Sequence, residues 1–224
     1  IILGHFQKLL TEKKKELDAA YANVSEKAKR LHELRLQKAE DLQQSVVREC
    51  RDLMLEDADF RVEFNEIQPG SRGTDEVEFL VSTNRGEVPK PLKNVASGGE
   101  ISRLMLALKS IFTALSETSL LIFDEIDTGV SGKTALAIGQ KMAGIAKNTQ
   151  VLTITHLAAV AACAKTHFYI YKVDENDETT TRIRQLNREE IINELAFISN
   201  ADISEISIQA AEELYRTAQE SVSA

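Results

Sequence analysis

No tryptophan occurs in the 224 residues, and aromatic side chains make up only 5% of them. A surface that holds nucleic acid by stacking bases on aromatic rings has little to build with here. There are 2 cysteines, Cys50 and Cys163, far apart in the chain. That number excludes a disulfide framework, and no cysteine–histidine spacing suggests zinc; free thiols in a reducing compartment are expected. No apolar run approaches the ~20 residues that cross a bilayer, and no signal peptide is evident, so a cytoplasmic chain without a membrane role is expected. A net charge of −8 and a pI of about 5.2 exclude wholesale wrapping of nucleic acid. Proline is scarce too: there are 3, the first at position 69, and no glycine lies between His5 and Phe60. Nothing therefore interrupts a helix over that stretch.

What fills the stretch is a repeat. Leu3, Leu10, Leu17, Val24 and Leu31 recur at seven-residue spacing. Phe6, Ala20 and Leu34 occupy a companion seam that Lys13 and Lys27 interrupt. This is coiled-coil periodicity and predicts an arm helix over residues 1–58. Leu42, Val46, Cys50 and Leu53 continue the stripe in a shifted register, which suits a helix packed on a globular body. A seam of this kind needs a partner helix, or it stays exposed.

From residue 59 to 224 the pattern is mixed, and hydrophobic content of 43% is enough for a core. Phe60, Val62 and Phe64 alternate, as do Val77, Phe79 and Val81, so half-buried strands are expected with a turn-rich link at Gln68–Gly73. His167–Val173 and Thr181–Leu186 read as strands joined by an acidic tip. Arg188–Ile198 and Ser204–Ala218 read as closing helices, with Ile191, Leu195, Ile198, Ile208, Ala211 and Leu214 as core contacts.

The chemistry concentrates in three places. Ser97-Gly98-Gly99-Glu100 opens a helix whose apolar face runs through Ile101, Leu104, Met105, Leu108, Ile111, Phe112 and Leu115. Ser97 and Glu100 fit a capping box. The two glycines allow close approach, and their N–H groups can meet an anion at the positive helix end; an ordinary capped core helix would read much the same. Leu120-Leu121-Ile122-Phe123 then reads as a strand buried on both faces, ending in Asp124 and Glu125. Carboxylates at that end of an α/β sheet can hold Mg²⁺ and activate water. Asp127 follows in the loop. A second apolar strand, Val151–Thr155, ends in His156.

In that order these elements resemble the C-terminal lobe of an ABC-type ATPase head. Ser97, Gly98, Gly99 and Glu100 match the signature motif. Asp124 and Glu125 match the Walker B aspartate and the catalytic glutamate, Asp127 the D-loop, and His156 the switch histidine. Val95–Arg103, Asp124–Gly132 and Val77–Leu80 narrow the likeness to SMC-like ATPases of bacterial double-strand-break repair. The resemblance covers roughly residue 60 to the end. Ser131-Gly132-Lys133-Thr134 carries the Gly-Lys-Thr of a phosphate-binding loop, but the first glycine of that motif is replaced by Asp127. Lys133 is expected at the surface, opening a helix over 134–146.

The resemblance implies an α/β fold: a mostly parallel sheet flanked by helices as the C-terminal lobe of a P-loop head, with the coiled-coil arm ahead of it. It implies ATP and Mg²⁺, the metal near Asp124, with Glu125 activating water and His156 sensing phosphate. It implies that Ser97 and Gly99 close on the γ-phosphate held by a second head, with Asp127 coupling the two sites of the homodimer. The phosphate-binding loop and the glutamine loop would come from an N-terminal lobe of the same protein, so this chain looks like a C-terminal fragment that turns over no ATP by itself. Double-stranded DNA is the implied partner and the nucleoid the implied place of work. Charge adds a little: residues 1–38 hold nine Lys or Arg against five Asp or Glu, with Lys13, Lys14, Lys15, Lys27, Lys29 and Arg30 able to reach phosphates. Another SMC-type chromosome-maintenance ATPase is the alternative. A transporter ATPase fits less well, because Ile126 stands where such domains carry proline.

Overall fold

The computed structural model describes residues 2–95, 98–116, 118–124, 126–175 and 178–223. Helix α1, Ile2–Asp52, runs without interruption for 51 residues, about 76 Å at 1.5 Å per residue. It stops where Met54 adopts a left-handed φ of 59° and the Leu55 N–H turns back to the Cys50 carbonyl. Its heptad seam is uncovered: Leu10, Leu17 and Val24 are 56%, 67% and 46% exposed. Val46, Cys50 and Leu53 of the shifted stripe are fully buried. The chain forms two compact units. One holds α1 up to Val47 with Ala58–Val95; the other holds Arg48–Asp57 with the chain after Val95.

In the first unit, β1 (Asp59–Gly70) and β2 (Gly73–Ser82) form an antiparallel hairpin with Phe60 opposite Val81 and Val62 opposite Phe79. The short β3 (Lys90–Pro91) adds to the free edge of β2. The hairpin is fastened to α1 by a buried carboxylate. Arg35 Nη1 donates to Asp75 Oδ2 at 2.9 Å, and His32 Nδ1 lies 2.7 Å from Asp75 Oδ1. The other Arg35 nitrogen donates to the Arg72 carbonyl. Burial alone would raise the Asp75 carboxyl, but the hydrogen bonds and charges of Arg35 and His32 outweigh it, and the group lies below its ordinary value.

The second unit runs α2 (Gly99–Leu115), β4 (Leu120–Asp124), α3 (Gly132–Ile145), β5 (Gln150–Ile154), α4 (Ala158–Ala161), β6 (Phe168–Glu175), β7 (Glu178–Gln185), α5 (Arg188–Asn200) and α6 (Glu205–Ser223). β4 and β5 pair in parallel with Leu121 opposite Val151, and α3 is the crossover between them. Parallel pairing among the described residues is confined to this pair; β6 and β7 form an antiparallel hairpin. The expectation that β4 is buried on both faces is corrected. Leu121 and Phe123 are buried, whereas Leu120 and Ile122 are exposed, as are Leu152 and Ile154 of β5. The strand is apolar on both sides, but the second side of this two-stranded sheet has no covering layer among the described residues.

α2 begins at Gly99, with Gly98 as its N-cap; the capping box expected at Ser97 lies outside the described residues. A capping box does occur at α5: the Glu190 N–H donates to Asn187 Oδ1 at 3.0 Å, and the Asn187 N–H donates to Glu190 Oε2 at 2.9 Å. Ile191, Leu195 and Ala196 of α5 pack with Ala211 and Ala218 of α6 and with Ala158, Ala162 and Cys163. Ile198, Ile208 and Leu214 pack at the margin of this cluster. Both cysteines are free and buried, and burial pushes each thiol up to about 11; Glu49 adds to the effect at Cys50.

The contact of α3 with the α4 segment depends on Gly139. A Cβ there would lie 2.7 Å from Cys163 Sγ and 3.2 Å from Val160 Cα. Gly139→Ala gains up to ~1 kcal/mol of helix propensity but overpacks a tight contact, at about 1–3 kcal/mol. A net loss of stability is expected. Urea unfolding of the chain reads it, and a midpoint at or above that of the parent would show that the two helices can move apart freely.

Candidate functional site

β4 and β5 run in the same direction, so their C-terminal ends lie side by side, with Asp124 opposite Ile154. The exposed Asp124 stands at that rim, and His156 follows two residues after β5 with a side chain 63% exposed. This is the end of an α/β sheet at which ligands bind. Glu125 lies between Asp124 and a buried Ile126 in sequence but outside the described residues, as does Ser97. The expectations for these two side chains rest on sequence alone.

Asp127 has the most unusual environment. Its side chain is fully buried. Thr155 Oγ1 donates a hydrogen bond to its Oδ2. Its Oδ1 has no hydrogen-bond partner among the described residues. His156 Nδ1 lies 3.6 Å from that oxygen, close enough for an ion pair and just too long for a hydrogen bond. The Asp127 carbonyl accepts from the Val130 N–H and closes the turn that leads into α3. Lys133, in the first turn of α3, is exposed as expected.

The signature turn meets this loop through Gly99. A Cβ on Gly99 would stand 2.7 Å from the Thr128 carbonyl oxygen and 3.5 Å from Val130 Cγ1. Only a residue without a Cβ lets the two backbones approach so closely. Gly98 is exposed and extended, with nothing within 4 Å of an added Cβ. The N–H groups of the first turn of α2 lie at the positive end of the helix dipole, which favours an anion. Glu100 lies in that turn and is exposed. Arg103, one turn on, has a buried Nε without a hydrogen-bond partner among the described residues, and burial lowers its pKa.

These positions fit the groups that the sequence implies. Asp124 offers a hard oxygen ligand at an exposed rim, which suits Mg²⁺ held by one or two carboxylates, water and substrate phosphates. No cluster of three or more His, Cys, Asp or Glu able to hold a metal ion occurs among the described residues; a site completed by phosphates needs none.

A cleft of about 570 Å³ between the last turn of α1, α2 and α3 contains none of the expected residues. Lys141 crosses it, 2.8 Å from Asp52 and 3.0 Å from Glu49, and Ser110 donates to Glu49. Burial works against the Lys141 ammonium, but these two carboxylates more than offset it and its pKa is raised. Its size does not make it the site, because nothing in it matches the chemistry at the strand ends. Two participants at the strand ends escape a sequence reading: Thr155, which holds Asp127, and Thr128, whose carbonyl backs Gly99. The Thr-His pair after a strand was a usable signal for the first. The second is a backbone contact with no sequence signal.

No family model matches the chain. Curated relatives do. The DNA repair protein RecN of Bacillus subtilis is 40% identical over 232 residues, which cover 96% of this chain and 40% of that protein. RecN of Halalkalibacterium halodurans is 45% identical over 190 residues, 82% of this chain and 34% of that protein. RecN of Vibrio cholerae is 37% identical over 202 residues. Among solved structures, the Smc head domain of Pyrococcus yayanosii with its coiled coil and joint aligns at a TM-score of 0.61 and 18% identity, covering 85% of this chain and 34% of that one. The Smc head of Pyrococcus furiosus with an extended coiled coil, bound to the C-terminal domain of ScpA, aligns at 0.53 and 18%, over 75% of this chain and 39% of that one. At that identity the structures speak to the fold: an SMC-type head of α/β class preceded by a long helix. No described helix is long and apolar enough to cross a membrane. The chain spans two-fifths or less of the RecN proteins named here. Within that span, its sequence, the order of its motifs and its fold agree, and the chain belongs to the RecN family of SMC-like proteins.

Proposed function

We propose that this chain supplies the signature half of an ATP-driven head in a DNA double-strand-break repair ATPase. The observation that carries the proposal is the contact of Gly99 with the Thr128 carbonyl, which ties the signature turn to the loop after Asp124. In the complete protein, the helical part of residues 1–58 serves as one strand of a coiled-coil arm and residues 59–224 as the C-terminal lobe of the head. The N-terminal lobe of the same protein brings the phosphate-binding loop and covers the open side of β4 and β5.

Ser97, Gly98, Gly99 and Glu100 of one head then close on the γ-phosphate of ATP bound to the other. Mg²⁺ near Asp124 neutralises phosphate charge when bound. Glu125 takes a proton from the attacking water, and His156 contacts the phosphate. The Asp127 loop joins the two sites, so that ATP holds the heads together and hydrolysis releases them. One structural neighbour is described in terms of ATP-driven dimerization and DNA-stimulated activation of SMC ATPases, which agrees with this cycle. The arms hold or bridge double-stranded DNA at the nucleoid, with the basic residues of 1–38 as candidate phosphate contacts.

ATP hydrolysis by the complete protein, measured with and without linear double-stranded DNA, tests the reading. Stimulation by DNA is expected. Turnover indifferent to DNA would keep the ATPase chemistry and remove DNA as the partner.

A further inference from the structure

We propose that Asp127 and Thr155 are positioning residues for His156, acting within one chain: Thr155 orients the buried Asp127 carboxylate, and its free oxygen holds His156 by Nδ1 so that Nε2 faces the phosphate. This rests on the reading of His156 as the phosphate contact, and it goes beyond the expectation that Asp127 serves only to couple two heads.

The geometry is specific. A carboxylate with no exposure retains one oxygen without a partner among the described residues, although buried acceptors are almost always satisfied. The other oxygen is taken by Thr155, which fixes the rotation of the group. The unpartnered oxygen faces an imidazole nitrogen at 3.6 Å, which a small rotation of the exposed ring brings within hydrogen-bond range. The Thr155 hydroxyl also accepts from the Leu157 N–H at 3.0 Å, so the backbone just beyond His156 is pinned by the same side chain. Thr155 and His156 are adjacent, and the Asp127 loop abuts Gly99. The triad thus links the signature turn to the histidine within a single chain.

The chemistry follows the logic of a buried carboxylate behind a histidine. An acceptor at Nδ1 selects the neutral ring with its proton on Nδ1 and points Nε2 outward. A phosphate oxygen at Nε2 needs a donor there. A ring that carries both protons offers its Nε2–H to the phosphate while its Nδ1–H stays on Asp127. Without the carboxylate, the ring is free to turn and to choose the opposite tautomer. A catalytic group displaced by about an ångström loses on the order of 100-fold in rate.

Two measurements decide. In the 224-residue chain, long-range nitrogen–proton correlation spectra with labelled histidine report the tautomer of His156. The Nδ1–H form is expected, shifting toward Nε2–H in Asp127→Asn and Thr155→Val, with unchanged spectra for residues of α5 and α6 showing that the fold is intact. In the complete protein, Thr155→Val is expected to lower kcat by about 10- to 100-fold with the KM for ATP within a few-fold, and Thr155→Ser to restore it. A His156 ring with its proton on Nε2 in the parent chain would overturn the proposal, whether or not the variants fold. So would a Thr155→Val enzyme with parental kcat beside a dead His156→Ala enzyme, a result that leaves His156 in its proposed role. Parental turnover in His156→Ala would instead remove the underlying reading.

Discussion

Glu125→Gln in the complete protein is expected to lower ATP hydrolysis by about 10²- to 10⁴-fold, the usual share of a positioned general base, while leaving ATP binding and head association in place. The glutamine keeps the volume and the hydrogen-bonding reach of the side chain but cannot take the proton of the attacking water. On the proposed cycle, in which the nucleotide bridges two heads until it is cleaved, closed dimers should accumulate. Steady-state phosphate release reads the first effect. Light scattering of the protein with and without ATP reads the second, as a persistent doubling of mass. Hydrolysis at the parental rate would remove Glu125 from its role. A rate loss without accumulated dimers would keep the base and discard the bridging nucleotide.

The second large effect is expected at Gly99. Gly99→Ala puts a methyl group 2.7 Å from a backbone carbonyl oxygen, that of Thr128, which cannot swing aside as a flexible side chain would. Either the first turn of α2 or the loop from Asp127 to Gly129 must move. In the isolated chain the cost is that of an overpacked contact, about 1–3 kcal/mol. In the complete protein, displacement of the signature turn from the γ-phosphate should lower kcat on the order of 100-fold, with little change in the affinity of a single head for ATP. Gly98→Ala is the structural control. Its added Cβ meets nothing, its φ of 168° is open to any residue, and the stability of the chain should stay within about 0.5 kcal/mol. Equal destabilisation by both substitutions would contradict the close approach at Gly99.

The two positions differ in how far the sequence reveals them. The place of Asp124 at the end of an apolar strand was legible, because strand pattern and residue type are local properties; Glu125 lies outside the described residues. Gly99 announces only permissiveness; the carbonyl that demands a glycine comes from Thr128, more than a helix away in the chain. The arm was legible for a related reason. Seven-residue periodicity and the lack of proline and glycine are local properties, and α1 forms as one helix of 51 residues. Asn187 and Glu190 form a capping box that their three-residue spacing allows, whereas Ser97, expected to open another, lies outside the described residues. The exposure of one side of β4 could not be read from Leu120–Phe123 at all. An apolar strand states what could be buried, and only its neighbours decide what is.

That open side has a thermodynamic consequence. Leu120, Ile122, Leu152 and Ile154 form an apolar surface present in the folded chain and dispersed in the unfolded one. Any species that adheres to it, including a second molecule of the same chain, binds the native state preferentially. At a concentration 100 times its dissociation constant such a species adds about 2.7 kcal/mol to the unfolding free energy. For a chain of this size that corresponds to a rise of roughly 5–11 °C in Tm. The melting temperature of the chain therefore rises with the concentration of any species that binds this face.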